Sequence, residues 1–559
     1  MDRRDFLTAS KRSNNVDENS FPGVREIYSG LSPYAGLWTT QQVVHLLKRT
    51  MFGATKSDVD YFRGRSMNES VNELLTVPAL PPAPPLKNYD NTNVPANDPE
   101  YTVAAGATWV DTNTNDGTAN SRRVNSLKSW WVGVMINQQR NILEKMVLFW
   151  HNHFSTETVD IGRAIWCYQN NLILRQYALG NFKQFVRAIT LDTGMLRYLN
   201  GYLNTNTAPD ENYSRELQEL FTIGKENNPT YTEDDVKQAA RVLTGWRIDN
   251  NTNKPFFQAN RHDTANKTFS SFYSNTIVAG KAGDTAGDLE LDAMLNMIFN
   301  KNVEVSAFIV RKLYRWFCYY SIDPVTEANV IQPLAAILRN SNWEIKPVLS
   351  ALLKSEHFFD LLNHGCVIKS PLDMTVSVCR EFNIVFPPAS DIVNSYFMWE
   401  HVRNQASLMQ QNVGDPPSVS GWAAYYQVPQ FYEIWINSDT LPKRNRYTDQ
   451  LVTTGYSRNG KRIQIDPVAF AKKFSNPADP NVLVSDIVDI LYRVPLSDAS
   501  KQTIKKQILL SNQDQDYYWS NAWNAHIASP ADTALYQIVF TRLQTLLKYL
   551  MNLAEYQLS

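Results

Sequence analysis

Cysteine is scarce in this chain, and the few cysteines are far apart. The 559 residues contain Cys167, Cys318, Cys366 and Cys379, and none of them belongs to a CxxC pair. Structural zinc sites and small disulfide-stapled domains both depend on clustered cysteines. We therefore interpret the four as small buried apolar residues, and the sequence leaves open a Cys366–Cys379 disulfide.

The chain also lacks an excess of charge and any long apolar run. Lys plus Arg number 54 and Asp plus Glu number 55, which gives a net charge of -1. Nucleic acids and acidic membrane surfaces attract basic proteins, so we expect no nucleic-acid partner. No apolar stretch approaches the roughly 18 residues of a membrane-spanning helix, so we predict no transmembrane segment.

Three common catalytic signatures are missing. The sequence has no GxSxG nucleophile elbow, no Walker phosphate loop, and no GxGxxG placed between a strand and a helix. These motifs position a nucleophile or a phosphate group through the geometry of the backbone. Their absence argues against a serine hydrolase, a nucleotidase and a dinucleotide-dependent enzyme.

The N-terminus carries the twin-arginine pattern of an export signal but not the apolar region that normally follows it. Arg3 and Arg4 precede Phe6 and Leu7 in a twin-arginine pattern, but the following KRSNNVDENS is polar. A complete signal needs an apolar region of about 7–15 residues at this place. We interpret residues 1–34 as a tail with a degenerate twin-arginine-like motif. Export in complex with a partner that has a complete signal would explain it, and a chance match is the alternative.

Apolar residues recur with helical spacing through most of the chain. Residues 39–62, for example, predict two helices broken at Phe52-Gly53-Ala54, with Thr55 or Ser57 as a cap for the second. Thr232 and Asp235 form a capping-box pattern before another helix.

Two segments interrupt this pattern. Residues 78–120 are rich in Pro, Asn and Thr and predict a long loop, and residues 440–465 predict a hairpin insertion centred on Asn459-Gly460. Strands and helices do not alternate along the chain. We predict a mainly α fold, a large multi-helix single domain over residues 35–559 with long loops and a small β-hairpin.

Two histidines stand in one of the most apolar segments, FWHNHF, at residues 149–154. The apolar spacing around it predicts the C-terminal end of a buried helix. On a regular helix His151 and His153 project about 200° apart, so they converge only if the helix ends near Asn152. An imidazole in an apolar setting needs a hydrogen-bond partner or a metal.

Other ionisable residues could complete a metal site. Glu216 and Glu219 lie three residues apart on a predicted helix, and His262-Asp263 lies in a polar loop. Such a set suits a divalent metal such as zinc, manganese or iron, whose bound water would perform hydrolysis. The candidate metal ligands are His151, His153, Glu216, Glu219 and His262. The candidate catalytic residues are Arg215, Asp263 and Lys267.

Each of these candidates also has a purely structural interpretation. Arg215 and Glu219 are spaced for an intrahelical ion pair, and Glu216 could bridge to Arg241. The histidines could donate to backbone carbonyls where their helix ends. A buried polar network that holds the helices together is therefore the alternative to a metal site.

The run GWAAYYQVPQFYEIWIN, residues 421–437, is unusually aromatic. Exposed in a groove, its rings would stack on a glycan or on the surface of a partner protein. Buried, they would pack in the core, which is the more common outcome for aromatic residues. The candidate ligand contacts are Trp422, Tyr425, Tyr426 and Trp435.

Several stretches together resemble domain-of-unknown-function family 1800. The similar segments are VVHLLKRTMFGAT, FWHNHFST, DENYSRELQELFTIG, YTEDDVKQAARVLTGW, RHDTANKTF, KSPLDM, DPPSVSGW and LMNLAEYQ, in the same order as in the family. Two positions depart from the family pattern: Ser418 replaces an asparagine, and Ser214 replaces a common alanine. Neither departure affects an ionisable residue.

The resemblance implies a bacterial protein that is often exported. Members of the family are frequently encoded beside proteins similar to sulfatases and alkaline phosphatases, many of which carry a twin-arginine signal. We therefore expect an envelope-associated binding or accessory protein, in the periplasm or at the cell surface, acting in complex with such a partner. A metal-dependent hydrolase is the alternative function, and the cytoplasm is the alternative location.

Overall fold

The computed structural model describes residues 27, 29–225 and 230–559, so the twin-arginine motif lies outside the described residues. Helices dominate the described chain, and its strands form two-stranded antiparallel sheets. The predicted mainly α fold is confirmed.

The N-terminal part of the described chain is helical except for one long loop. Its helices are α1 (Thr40–Thr50), α2 (Lys56–Arg63), α3 (Met67–Leu74), α4 (Gly117–Ile136), α5 (Leu143–His153), α6 (Thr158–Ile161), α7 (Ala164–Gln176), α8 (Phe182–Thr190) and α9 (Thr193–Tyr198). The predicted break between the first two helices is confirmed, and Thr55 caps α2 by accepting a hydrogen bond from Asp58 N at 3.0 Å.

The predicted loop over residues 78–120 ends slightly earlier than expected. Helix α4 begins at Gly117 because the Asp116 carboxylate caps it, accepting a hydrogen bond from Ala119 N at 2.8 Å. The loop contains a 3-10 turn, Pro99–Thr102. Glu100 in this turn is fully buried and bonds to Arg123 Nε of α4 at 2.7 Å, which ties the loop to the helix.

Helices continue through the middle of the described chain. They are α10 (Asn212–Glu216), α11 (Glu233–Val242), α12 (Ala286–Asn300), α13 (Asn302–Phe317), α14 (Pro324–Thr326), α15 (Gln332–Asn340), α16 (Ile345–Leu353), α17 (Pro371–Glu381) and α18 (Ile392–Leu408). π-Helical turns extend α10 over Leu217–Thr222 and α14 over Glu327–Ile331. The capping box of α11 is confirmed, with Thr232 N donating to Asp235 Oδ2 at 2.7 Å.

The C-terminal helices are α19 (Thr440–Val452), α20 (Pro467–Ala471), α21 (Pro480–Leu491), α22 (Asp498–Ile504), α23 (Tyr517–Ala528) and α24 (Thr533–Asn552), with a π-helical turn, Lys505–Leu509, after α22. The hairpin insertion predicted over 440–465 is wrong in its first half. That half forms α19 because Arg444, Tyr447 and Leu451 bury one helical face.

The described strands form three short hairpins. They are β1 (Trp246–Asp249) with β2 (Lys254–Phe257), β3 (Lys267–Thr268) with β4 (Ile277–Val278), and β5 (Tyr456–Arg458) with β6 (Lys461–Ile463). The third is the predicted hairpin, and its turn residues Asn459 and Gly460 have φ of 51° and 73°, as the tight turn requires. The first two hairpins were not predicted because their strands are short and half exposed.

One continuous hydrophobic cluster includes residues from Val43 to Tyr556. Helix α4 packs against α18 and α7 inside it, and α5 packs against α7. All four cysteines are buried and unpaired, so the Cys366–Cys379 disulfide does not form. Among the described helices none combines the length and the apolar character needed to cross a membrane.

Candidate functional site

The FWHNHF segment ends helix α5, as predicted, and its two histidines have separate surroundings. The ring of His151 packs edge-on against Trp131 and Trp422, with ring centroids 5.3 and 5.7 Å away. His153 Nε2 donates to the backbone oxygen of Phe221 at 3.1 Å. The predicted divergence of the two imidazoles is confirmed, because the helix stays regular up to His153.

Burial makes both imidazoles neutral at pH 7. It lowers the pKa of His151 to about 4, with Asp415 opposing the change and Lys128 adding to it. Burial also holds the pKa of His153 well below its ordinary value, and nearby Lys312 lowers it further. A neutral imidazole offers one donor and one acceptor nitrogen. On His153 the donor is already used by the Phe221 carbonyl.

Asn152, between the histidines, holds a distant turn against α5. Its Oδ1 accepts a hydrogen bond from Trp422 N at 2.9 Å. The preceding Gly421 has φ +90°, and a Cβ at this position would lie 2.4 Å from Asn152 Oδ1. Only glycine fits such a contact in the left-handed region. Asn152 therefore docks the start of the aromatic run onto the end of α5.

A cavity of about 360 Å³ opens beside the end of α5, and we call it the aromatic cavity. Six of its lining residues are aromatic: Phe149, Phe308, Trp316, Tyr425, Tyr426 and Phe431. Its polar and charged lining residues include His153, Glu219, Lys225, Lys312 and Arg315. The cavity thus combines ring faces with an excess of positive charge.

Neighbouring groups hold the charged side chains of the cavity in place. Glu219 forms an ion pair with Lys225. Lys312 Nζ donates to Leu220 O at 3.2 Å, and Arg315 Nε donates to Tyr320 O at 3.3 Å. These contacts hold the three basic side chains against the cavity wall.

The four predicted aromatic contacts divide into two pairs. Tyr425 and Tyr426 line the aromatic cavity, and the ring of Tyr425 lies 4.5 Å from that of Trp316, centroid to centroid. Trp422 and Trp435 are 2% and 3% exposed and pack in the core. The middle of the aromatic run therefore lines the cavity, and the buried side chains of Trp422 and Trp435 fix the run in the core on both sides.

The predicted metal ligands are only partly brought together. His153 and Glu219 line the aromatic cavity, whereas the ring of His151 packs between Trp131 and Trp422. Glu216 is half-buried, and this burial raises its pKa. In the described ranges no three His, Cys, Asp or Glu side chains form a group that could hold a metal ion.

Of the two glutamates, Glu219 lines the aromatic cavity and Glu216 does not. Glu216 ends the regular helix, and Glu219 lies in the wider turn that follows it. A turn closed by i→i+5 bonds has a different angular spacing from the α-helix. Lys225 pairs with Glu219 and also opposes the rise in the pKa of Glu216, so one cation acts on both carboxylates. The sequence prediction assumed a regular helix through this segment.

His262 and Lys267 belong to a separate buried polar cluster around Glu290 of α12. His262 Nε2 lies 3.0 Å from Glu290 Oε1, and Lys267 Nζ lies 2.5 Å from Glu290 Oε2. The other ring nitrogen of His262 lies 2.9 Å from the backbone oxygen of Thr244. The side chains of His262 and Lys267 are 1% and 0% exposed. This cluster binds the loop that carries them to α12.

The remaining predicted residues form ion pairs with partners other than those expected. Asp263 accepts two hydrogen bonds from Arg241, at 2.7 and 3.2 Å, so Arg241 does not bridge to Glu216. Burial opposes ionisation of Asp263, but these bonds lower its pKa overall.

Arg215 does not form the expected intrahelical pair with Glu219. It pairs instead with Glu211 at 3.0 Å and with Glu233 of α11 at 2.7 Å. Arg215 is thus a link between α10 and α11, and it does not line the aromatic cavity.

Sequence reasoning missed the wall of the cavity that α13 contributes. Phe308, Lys312, Arg315 and Trp316 have the spacing i, i+4, i+7 and i+8, which places them on one helical face. A stripe that mixes aromatic rings with cations is unusual for a face that packs in a core. This spacing of aromatic and basic residues was visible in the sequence and could have indicated the cavity wall.

Comparisons with known proteins identify a family and no closer relative. The family model of proteins of unknown function designated DUF1800 matches residues 45–558. No curated protein matches the chain, and no solved structure matches it.

Proposed function

Because this chain belongs to the DUF1800 family of proteins of unknown function, we propose its function from its own geometry: it is a binding protein that receives part of a partner in the aromatic cavity. The observation that carries this proposal is the lining of the cavity, in which six aromatic rings stand beside three cations. Aromatic and arginine side chains are the residues that most often anchor protein interfaces.

The surface beside the cavity supports a protein partner. Tyr426 is 44% exposed and Val428 is 72% exposed, and both line the cavity. Exposed apolar side chains next to a concave aromatic wall favour a docking surface. The partner segment would bring an apolar or aromatic side chain, to pack against the rings of the cavity.

We further propose that the partner is an envelope protein similar to sulfatases and alkaline phosphatases, and that the complex acts in the periplasm or at the cell surface. The support is the twin-arginine pattern at Arg3-Arg4 without an apolar region after it. Export of the folded chain together with such a partner would be compatible with this pattern.

The test is sedimentation velocity on the full chain mixed with the purified sulfatase-like protein of the same organism. We expect a complex with the wild type and a weaker complex with Val428→Ser or Tyr426→Ala. Val385→Ser is the matched control, because Val385 is 80% exposed and does not line the cavity. Equal binding by Val428→Ser and Val385→Ser would contradict the proposed surface. A change of intrinsic fluorescence with an acidic oligosaccharide, without any complex, would indicate a glycan ligand instead.

A metal-dependent hydrolase is the second candidate, because His153 and Glu219 line the same cavity. Elemental analysis of the purified protein beside a His151→Ala/His153→Ala variant distinguishes the two functions. A near-stoichiometric transition metal that is lost in a folded variant would favour the hydrolase. A metal-free wild type with a lower melting temperature in the variant would favour the binding protein.

A further inference from the structure

A second cavity, of about 410 Å³, has a polar lining with three arginines, and we call it the arginine pocket. Its lining residues come from the loop before α4 and the start of α4, the segment from the end of α6 into α7, helix α9, the 3-10 turn Gly201–Leu203, and strand β1 with the hairpin turn after it. The residues that matter here are Arg163, Trp166, Arg197, Tyr202 and Arg247. It shares no lining residue with the aromatic cavity.

Each guanidinium group uses only one nitrogen, Nη1, for hydrogen bonds to the protein. Arg163 Nη1 donates to Asn250 O at 3.1 Å, and Arg247 Nη1 donates to Tyr202 O at 2.8 Å. Arg197 Nη1 contacts the Tyr202 hydroxyl. The Nε and Nη2 groups of all three make no hydrogen bond to the described residues. Several strong donors therefore remain available around one pocket.

No carboxylate neutralises these three arginines within the described ranges of the chain. The acidic residues closest to them in sequence form no ion pair with them. Asp192 accepts from Met195 N at 2.8 Å, and Asp249 accepts from Asn251 N at 2.9 Å in the hairpin turn. Asp160, three residues before Arg163, is exposed to solvent. The three guanidinium groups are partly buried, so their positive charges are less well solvated than at an open surface and would be stabilised by a bound anion.

Aromatic rings hold two of the arginines in place. The Arg163 guanidinium lies 4.8 Å from the ring centre of Trp166, and the Arg197 guanidinium lies 5.0 Å from that of Tyr202. Trp166 is itself fixed, because its Nε1 donates to Asn253 Oδ1 at 2.9 Å. Such stacking leaves the edge of a guanidinium free to bind an oxyanion.

We propose that the arginine pocket binds a tetrahedral oxyanion, the phosphate or sulfate group of a monoester on a sugar-like body. Three guanidinium forks can surround an oxyanion with paired N–H donors. The pocket volume exceeds that of the anion alone and leaves space for an attached polar group. Asn115 and Asn250 on the pocket wall suit hydroxyl groups. This site goes beyond the aromatic cavity and does not depend on its function.

The test is calorimetric titration of the full chain with sodium phosphate, sodium sulfate, glucose 6-phosphate and glucose 6-sulfate at constant ionic strength. Sodium acetate is the planar comparison. We expect saturable binding of the tetrahedral anions, tighter for the esters, and at least tenfold weaker binding by Arg247→Gln and by Arg163→Gln. The two esters distinguish a phosphate site from a sulfate site.

The matched control is Arg542→Gln, because Arg542 is also half-buried and bonds only to a backbone oxygen, Tyr518 O. This variant should bind like the wild type. Arg163→Lys keeps the positive charge but loses the paired N–H donors of the guanidinium group. Its affinity should lie between those of the wild type and Arg163→Gln. Equal affinity for acetate, no heat beyond that of sodium chloride, or unchanged binding by folded Arg247→Gln and Arg163→Gln would overturn the proposal.

Discussion

The Asn152 side chain accepts a hydrogen bond from Trp422 N at 2.9 Å and joins the end of α5 to the start of the aromatic run. Two segments far apart in sequence thereby form one wall of the aromatic cavity. The polar residues of FWHNHF have structural contacts in this arrangement: Asn152 holds the turn, and His153 donates to the Phe221 carbonyl.

Gly421→Ala should destabilise the protein by more than about 2 kcal/mol, because a Cβ in the left-handed region would strain the backbone and displace Asn152. Asn152→Ala should cost about 1–2 kcal/mol, since it leaves Trp422 N without its acceptor. Urea denaturation measures both. Gly117→Ala is the control, because a Cβ there meets nothing within 4 Å. A Gly421→Ala protein as stable as Gly117→Ala would contradict the assigned contact.

Glu290→Gln should lower the free energy of unfolding by about 3 kcal/mol, because it leaves Lys267 charged and buried without a counter-ion. Asp288→Asn on the same helix provides the comparison. Asp288 pairs with Arg187 at the surface, where an ion pair contributes about 0–1 kcal/mol. Denaturation of the two variants side by side checks the difference, and similar losses would show that the Glu290 cluster is not needed for stability.

The stability of the protein should decrease as the pH falls from 6.5 towards 4, partly because of His151. Its pKa is about 4 in the folded chain, and in the unfolded chain it takes the ordinary value of 6.5. As the pH falls, the unfolded chain therefore binds a proton at this imidazole before the folded chain does, which favours unfolding. The difference corresponds to roughly 3 kcal/mol at most. His151→Phe keeps a ring between Trp131 and Trp422 and should reduce this pH dependence. Unfolding free energies near pH 7.5 and pH 4.5 test it, and an equal slope in the variant would exclude His151 as a source.

The stability should increase as the pH rises above about 7, because of Lys369. This side chain is 2% exposed, its Nζ has no hydrogen-bond partner among the described residues, and it lies 3.9 Å from the ring centre of Tyr556. Burial, with a contribution from Lys48, lowers its pKa to about 7 from 10.5. The unfolded chain therefore binds more protons between these values.

Lys369→Met removes that titration. Between about pH 7 and pH 9 the free energy of unfolding of the wild type should rise by about 2 kcal/mol more than that of the variant. The variant should also be the more stable protein at pH 7, since it has no ammonium group to desolvate. Parallel pH profiles for the two proteins would mean that Lys369 keeps the same pKa in both states.

The sequence predicted those elements whose signals are local. Thr55, Thr232 and Asn459-Gly460 act through hydrogen bonds and backbone angles within three or four residues, and the helix break and the hairpin followed from them. Helix α19 was missed because its polar residues hide the stripe that buries Arg444 and Tyr447. That stripe is recognisable only from the neighbours that cover it.

The sequence by itself determined the mainly α fold, the buried end of α5 and the candidate residues, because periodicity and capping depend on neighbours along the chain. Only the tertiary structure decided which candidates meet. It placed His153 with Tyr425 at one cavity, paired His262 with Glu290, and gathered Arg163, Arg197 and Arg247 around another. Such contacts join residues far apart in sequence, and packing of the whole core, not local spacing, brings them together.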